Sequence, residues 1–310
     1  MSGSTYTIDN LRRVASIKGV SGIISRLGTR INQEYYKMCD TDKGVQIINE
    51  DWDNLIILDG CRYDTFSEVC ELSGELEYRM SKGSESREFI EQNFIGEELT
   101  DTVYITANPF ATTVPDRTFH YIDNILEEEW DSEINTVPPS AVVDHAESAA
   151  ERFPNKRLIV HFMQPHYPFI GNFGKNMESG GINPRSNETS NQIQVWKRLQ
   201  YGLGVPKGDV VHAYRENLNL VLNAVSGLLD NIEGKSVITS DHGNLIGDRL
   251  SPVPVRGYGH PRNVYVEDLV KVPWFTIDGN RRMIKPETPI SSDELKLEEV
   301  NQQLDHLGYK

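Results

Sequence analysis

Short apolar runs recur along the chain, and each closes on polar residues. They are NLIILD over 54–59, TVYITA over 102–107, RLIVHF over 157–162, the SVITS of Ser236–Ser240, and the stretch 269–277 around Val272 and Phe275. Runs of four to six residues rich in Val and Ile predict buried strands. Between them apolar residues shift to helical spacing. Phe89, Ile90 and Phe94 form one stripe, residues 142–153 a second that Pro154 stops, and Leu218, Val221, Leu222, Val225, Leu228 and Leu229 a third. Leu295, Leu297, Val300 and Leu304 predict a last helix over 292–307. Strands alternating with helices predict an α/β fold, a three-layer α/β/α sandwich with a mostly parallel central sheet. Three stretches read as irregular: 116–140, whose Glu127–Glu129 run is a solvated face, the Gly/Asn/Ser-rich loop 171–190, and the segment from Gly243 to Pro261.

The first 50 residues follow a different pattern. Leu11, Val14, Ile17, Val20, Ile24, Leu27 and Ile31 recur at helical spacing, with Arg12, Arg13, Lys18, Arg26 and Arg30 around them. Residues 1–50 are therefore expected to be a helical appendage and 51–310 the body. A basic amphipathic helix either docks on the body, the commoner use, or makes peripheral contact with a membrane surface.

Composition narrows the partners. A formal net charge of −15 over 310 residues argues against nucleic acid, because phosphate backbones need a basic face. Cys39, Cys61 and Cys70 are odd in number and form no CxxC pair, so no disulfide framework is expected. With no run long enough to span a bilayer and no cleavable leader pattern, the expectation is a cytoplasmic protein, with membrane association through the N-terminal segment as the alternative.

Chemistry gathers at the strand ends. Asp59 closes the first run, and Asp241 and His242 close SVITSDHG, where Gly243 lets the backbone turn. Carboxylates and an imidazole at the carboxyl ends of parallel strands sit where α/β proteins bind ligands, and they suit a divalent cation. In SKGSESREFIEQNF, Ser84 or Ser86 begins a helix, where backbone N–H groups favour a developing anion. Ser84 is the first choice as nucleophile, because Gly83 before it lets the backbone come close; Ser86 is the second. His161, His166 and His260 flank the same ends, able to grip an anion, donate a proton or bind a second metal.

These residues resemble the alkaline phosphatase superfamily, in its sulfatase-like branch of sulfatases and phosphoglycol or phosphoethanolamine transferases. LILDGCRYD is similar to the first metal-ligand strand, TSDHG to the second metal motif, and HFMQPHYPF to a His-Pro substrate loop. GYGHPRNVYVEDLVKVP is similar to the segment that follows TSDHG. The resemblance spans roughly residues 54–277. It implies a fold like alkaline phosphatase and attack by a side-chain oxygen on phosphorus or sulfur. It also implies one or two divalent ions (Zn, Mn, Mg or Ca) held by Asp59, Asp241, His242 and the nucleophilic serine. His260 matches a phosphate-binding or second-metal histidine. The implied substrate is a small-molecule, glycan-linked or lipid-linked anionic ester. Sulfatases that use formylglycine need Pro two residues after the converted Cys or Ser and Arg four after it. Ser84-Glu85-Ser86-Arg87-Glu88 lacks that pattern, which favours phosphoryl transfer by a plain serine. An unusually activated sulfatase and a non-catalytic scaffold are the alternatives.

Overall fold

The computed structural model describes residues 24–39, 44–177 and 194–291. The helix expected over 292–307, most of the loop expected over 171–190, and the start of the N-terminal helix lie outside the described residues. Seven strands form the main sheet: β1 (Asn54–Asp59), β2 (Glu75–Met80), β3 (Leu99–Thr106), β4 (Phe119–Asn124), β5 (Arg157–Pro165), β6 (Ser236–Ser240) and β9 (Lys271–Ile277), in the order β2-β9-β6-β1-β5-β3-β4. β7 (Leu245–Arg249) and β8 (Arg256–Gly259) make a separate antiparallel hairpin.

Strands β6, β1, β5, β3 and β4 run parallel. β9 pairs antiparallel with β6 and carries β2 outside it, also antiparallel. Side chains of β1 alternate between two cores, as a pleated strand requires. Ile56 and Leu58 pack with α2 (Tyr63–Val69), α4 (Pro139–Arg152) and α6 (Lys207–Asn231). Leu55 and Ile57 pack with Phe89, Ile90 and Phe94 of α3 (Ser86–Phe94) on the opposite face. The three-layer sandwich and the mostly parallel sheet are thus as the pattern predicts.

Three elements depart from the pattern. β4 lies inside the stretch read as irregular over 116–140; FHYIDN is an edge strand buried at Phe119 and His120 and only partly buried or exposed beyond them. β2, ELEYRM, is the other edge, and its charged, mostly exposed side chains give no apolar run to detect. The irregular reading after TSDHG is corrected by the β7–β8 hairpin, two strands too short to show a period. A helix over 24–38, here α1, lies against this hairpin's loop. The remaining helices are α5 (Val195–Tyr201) and α7 (Glu267–Val270).

Candidate active site

The parallel register brings the sequence candidates to one place. β1 lies between β5 and β6, with Leu58 opposite both Phe162 and Ser240. Asp59, Asp241 and the residues after Phe162 therefore emerge together at the carboxyl edge of the sheet. Gly60 follows Asp59 at φ +66°, and a Cβ there would stand 3.4 Å from the His242 ring. Glycine thus meets the left-handed turn and lets the chain pass close to the site. His166 N donates to Asp59 O at 3.1 Å, tying the β5 exit to the β1 exit.

Each side chain at this edge has one polar atom fixed to the scaffold and another turned inward. Asp241 Oδ1 accepts from Gly60 N (2.9 Å) and from His242 N (2.8 Å). Asp59 Oδ2 accepts from Asn108 Nδ2 at 3.2 Å. His161 Nδ1 meets the Tyr104 hydroxyl at 2.9 Å, and His242 Nδ1 donates to Gly243 O at 2.6 Å. The remaining atoms Asp59 Oδ1, Asp241 Oδ2 and His161 Nε2 are buried and have no hydrogen-bond partner. One ligand atom from each of these three residues lies within 4.8 Å of the others. His242 Nε2 stands 3.5 Å from Asp241 Oδ2 and 3.8 Å from Asp59 Oδ1.

Unpartnered buried carboxylate oxygens are costly unless something positive compensates them. Two carboxylates and two imidazoles of this size and spacing fit a divalent cation, and partners on the outer atoms orient metal ligands in just this way. Burial pushes the Asp59 carboxyl well above the usual range, and the Asp241 charge adds to it. Burial acts upward on Asp241 too, but His242 and His161 beside it outweigh that and hold it low.

The structure separates the two serines. The Ser86 hydroxyl lies 3.3 Å from His242 Nε2 and 3.4 Å from Asp59 Oδ2, at the first position of α3. Ser84 is turned away, and its hydroxyl donates to Glu88 Oε2 at 2.6 Å. Gly83 bears on where Ser84 lies. A Cβ on Gly83 would meet Phe89 N at 2.4 Å, so this glycine permits close packing on α3 rather than approach to the carboxylates. Glu85 is the N-cap of α3, its side chain accepting from Glu88 N, which makes Ser86 the first helical residue.

His166 and His260 form the outer wall. Their Nε2 atoms are 2.9 Å apart, and His166 Nδ1 donates to Tyr167 O at 2.7 Å. The His242 and His260 rings are 4.7 Å apart. Burial lowers His166 to about 4 and lowers His260 as well, so both are neutral at pH 7. Cys61 is a packed small side chain whose thiol burial pushes up, not a nucleophile. The sequence pattern gave neither Asn108 nor Tyr104 a role. A tyrosine inside TVYITA reads as core until β5 is known to lie beside β3.

No family model and no curated protein matches the chain. Among solved structures, the C-terminal periplasmic domain of EptC from Escherichia coli, in complex with zinc, matches at 14% identity and TM-score 0.46, covering 74% of this chain and 72% of that one. The soluble domain of lipooligosaccharide phosphoethanolamine transferase A from Neisseria meningitidis matches at 11% identity and TM-score 0.42, covering 72% and 75%. A protein in the alkaline phosphatase superfamily from Vibrio parahaemolyticus matches at 13% identity and TM-score 0.41, covering 78% and 63%. The three-layer sandwich with its mostly parallel sheet rests on the strand order itself. The expected cytoplasmic location is overturned, because a matching domain is periplasmic. That expectation rested on the lack of a leader pattern, of a spanning run and of a disulfide framework, and such absences do not fix a compartment.

Proposed function

We propose that the protein is a metal-dependent transferase or hydrolase of a phosphoester, with Ser86 as its nucleophile. The observation that carries this is the Ser86 hydroxyl at a helix N-terminus, 3.4 Å from Asp59 Oδ2 and 3.3 Å from His242 Nε2, beside the converging unpartnered atoms of Asp59, Asp241 and His161. Asp59, Asp241, His242 and His161 would hold a divalent cation, which lowers the pKa of a neighbouring hydroxyl and neutralises charge on a transferred group.

The rest falls to the chain's own side chains. Ser86 Oγ forms the new bond to phosphorus while the bond to the leaving oxygen breaks. With its Nδ1 hydrogen held by Gly243 O, His242 turns Nε2 to the cation, and the Ser86 hydroxyl is aimed by donating to Asp59 Oδ2, which takes its proton as Oγ attacks. Since His166 gives its Nδ1 hydrogen to Tyr167 O, its Nε2 accepts and His260 Nε2 carries the shared hydrogen. On substrate binding His260 can turn that hydrogen from His166 to a phosphoryl oxygen or to the leaving group. The substrate is then an anionic ester, free or linked to a glycan or lipid.

Metal analysis of the purified protein, followed by aryl phosphate mono- and diesters and aryl sulfates, tests the reading. Ser86→Ala is expected to lose about a thousandfold or more in turnover with metal content unchanged. Ser84→Ala is expected to keep turnover within a few-fold and to lose about 1.5 kcal/mol of stability, the worth of a hydrogen bond to a charged group. Full turnover by Ser86→Ala, or turnover of sulfates alone, sinks the proposal.

A further inference from the structure

Helix α1 meets the body by an unexpected face. Asn32, fully buried, donates from Nδ2 to Val253 O at 2.9 Å and accepts from Val253 N at 2.7 Å. Gly28 abuts Val255, and Tyr36 meets Tyr265 edge to face. The apolar stripe read from the sequence is not the docked face. Ile24, Leu27, Ile31, Tyr35 and Met38 are 58%, 48%, 55%, 42% and 82% exposed. Their spacing of three, four, four and three residues gathers them within an arc of about 80° at 3.6 residues per turn. Docking therefore does not account for the stripe, and an exposed contiguous apolar face marks a binding surface.

Charge decides between occupants. Residues 1–39 hold six lysines and arginines against Asp9 and Glu34, a net of +4 in a chain of −15, so the remainder carries −19. On the helical wheel Arg26, Arg30 and Lys37 fall beyond the stripe on the side away from Asn32, and they outnumber Glu34, which pairs with Arg30 and Lys37 on the same flank. A second copy would bring two such +4 segments and two −19 bodies together. An anionic lipid surface attracts the helix, and within a screening length of about 8 Å it feels little of the body's charge. The spacing also continues upstream in sequence through Leu11, Val14, Ile17 and Val20, longer than a local dimer contact needs. We propose that the α1 stripe is a docking surface for an anionic lipid bilayer, its apolar side chains entering the interface and its basic flank facing headgroups.

The experiment is co-sedimentation of the full chain with vesicles of phosphatidylcholine alone or mixed with phosphatidylglycerol. The chain is expected to pellet with the mixed vesicles, and raising salt from about 0.1 to 1 M to weaken this, since the Debye length falls from about 10 to 3 Å. Leu27→Glu/Ile31→Glu should lower the bound fraction about tenfold or more while Tm and metal content stay as in the parent, because both positions face solvent. Leu220→Glu, at an exposed apolar residue on α6, should pellet like the parent. Failure to pellet with mixed vesicles, equal pelleting of the double variant, or equal binding to phosphatidylcholine alone overturns the proposal. So does a lipid-free dimer in sedimentation equilibrium that the double variant converts to monomer, which would make a second copy the occupant.

Discussion

The two edges of the parallel sheet treat buried polar groups in opposite ways. At the amino edge, Lys156 is 1% exposed, and its ammonium reaches Lys285 O at 2.7 Å and Glu287 at 2.8 Å. Asn54 donates to Glu233 O and to Ser236 Oγ and accepts from Arg282. Residues after β9 run across this edge, with Lys285 N, Glu287 N and Ile290 N donating to Asn155, Thr100 and His120 carbonyls. Most of the buried polar groups there are met by the chain itself, although Asp53 Oδ1, Arg157 Nε and Arg282 Nε have no partner. At the carboxyl edge Asp59, Asp241 and His161 each leave an atom without a partner, and those atoms face one another. The lesson is that convergence separates a binding centre from a structural charge cluster. Both edges bury polar groups; only one aims its unpaired atoms at a common point.

The largest expected effect comes from removing a converging atom. Asp241→Asn should lose bound metal and nearly all turnover together, read by metal analysis and by rates on the best ester. Chelation of the parent should lower its Tm, because a ligand that binds only the folded state stabilises it. A variant that keeps metal and rate would show that the convergence is structural.

At the opposite edge Lys156→Met should cost about 2 kcal/mol in denaturant unfolding, since it strands buried carbonyl acceptors, with turnover unchanged. A loss of rate equal to that of Asp241→Asn would erase the contrast between the edges.

Tyr104→Phe asks for less. It removes the partner of His161 Nδ1, and it should weaken metal affinity about tenfold, the lower end for orienting groups, with little change in fold. Metal titration monitored by Tm or calorimetry checks it; unchanged affinity would place His161 outside the ligand set.

The smallest effect lies away from both edges. Burial alone would lower His145, but Asp123 at 2.7 Å, with Glu129 beyond it, outweighs that and raises it. A raised folded pKa means stabilisation fully present below the unfolded value of about 6.5 and lost as pH rises through the folded value. His145→Gln should therefore be less stable than the parent by roughly 0.5 kcal/mol near pH 5, discounted for solvent screening, and equal to it above pH 8. A difference that grows with pH would refute the assignment.

The sequence by itself determined the layered fold and brought out most residues of the candidate centre. Buried strands such as NLIILD must be apolar on both faces, so they appear as runs, and the carboxylates that end them stand out. Asp59, Asp241 and His242 were legible for that reason. Edge strands β2 and β4 were not, because a strand with a solvated face needs no apolar run. The choice of Ser86 over Ser84 rested on where α3 begins, which Glu85 fixes through its cap and Gly83 through its packing on Phe89. Two residues along a turn reverse the direction of a side chain, and no local pattern shows which one faces Asp59. The place of His161 among the carboxylates, and the solvent-facing side of α1, were likewise decided only by tertiary contacts. Strand order put β5 beside β1, and the paired hydrogen bonds of Asn32 with Val253 outbid apolar burial for the docked face of the helix.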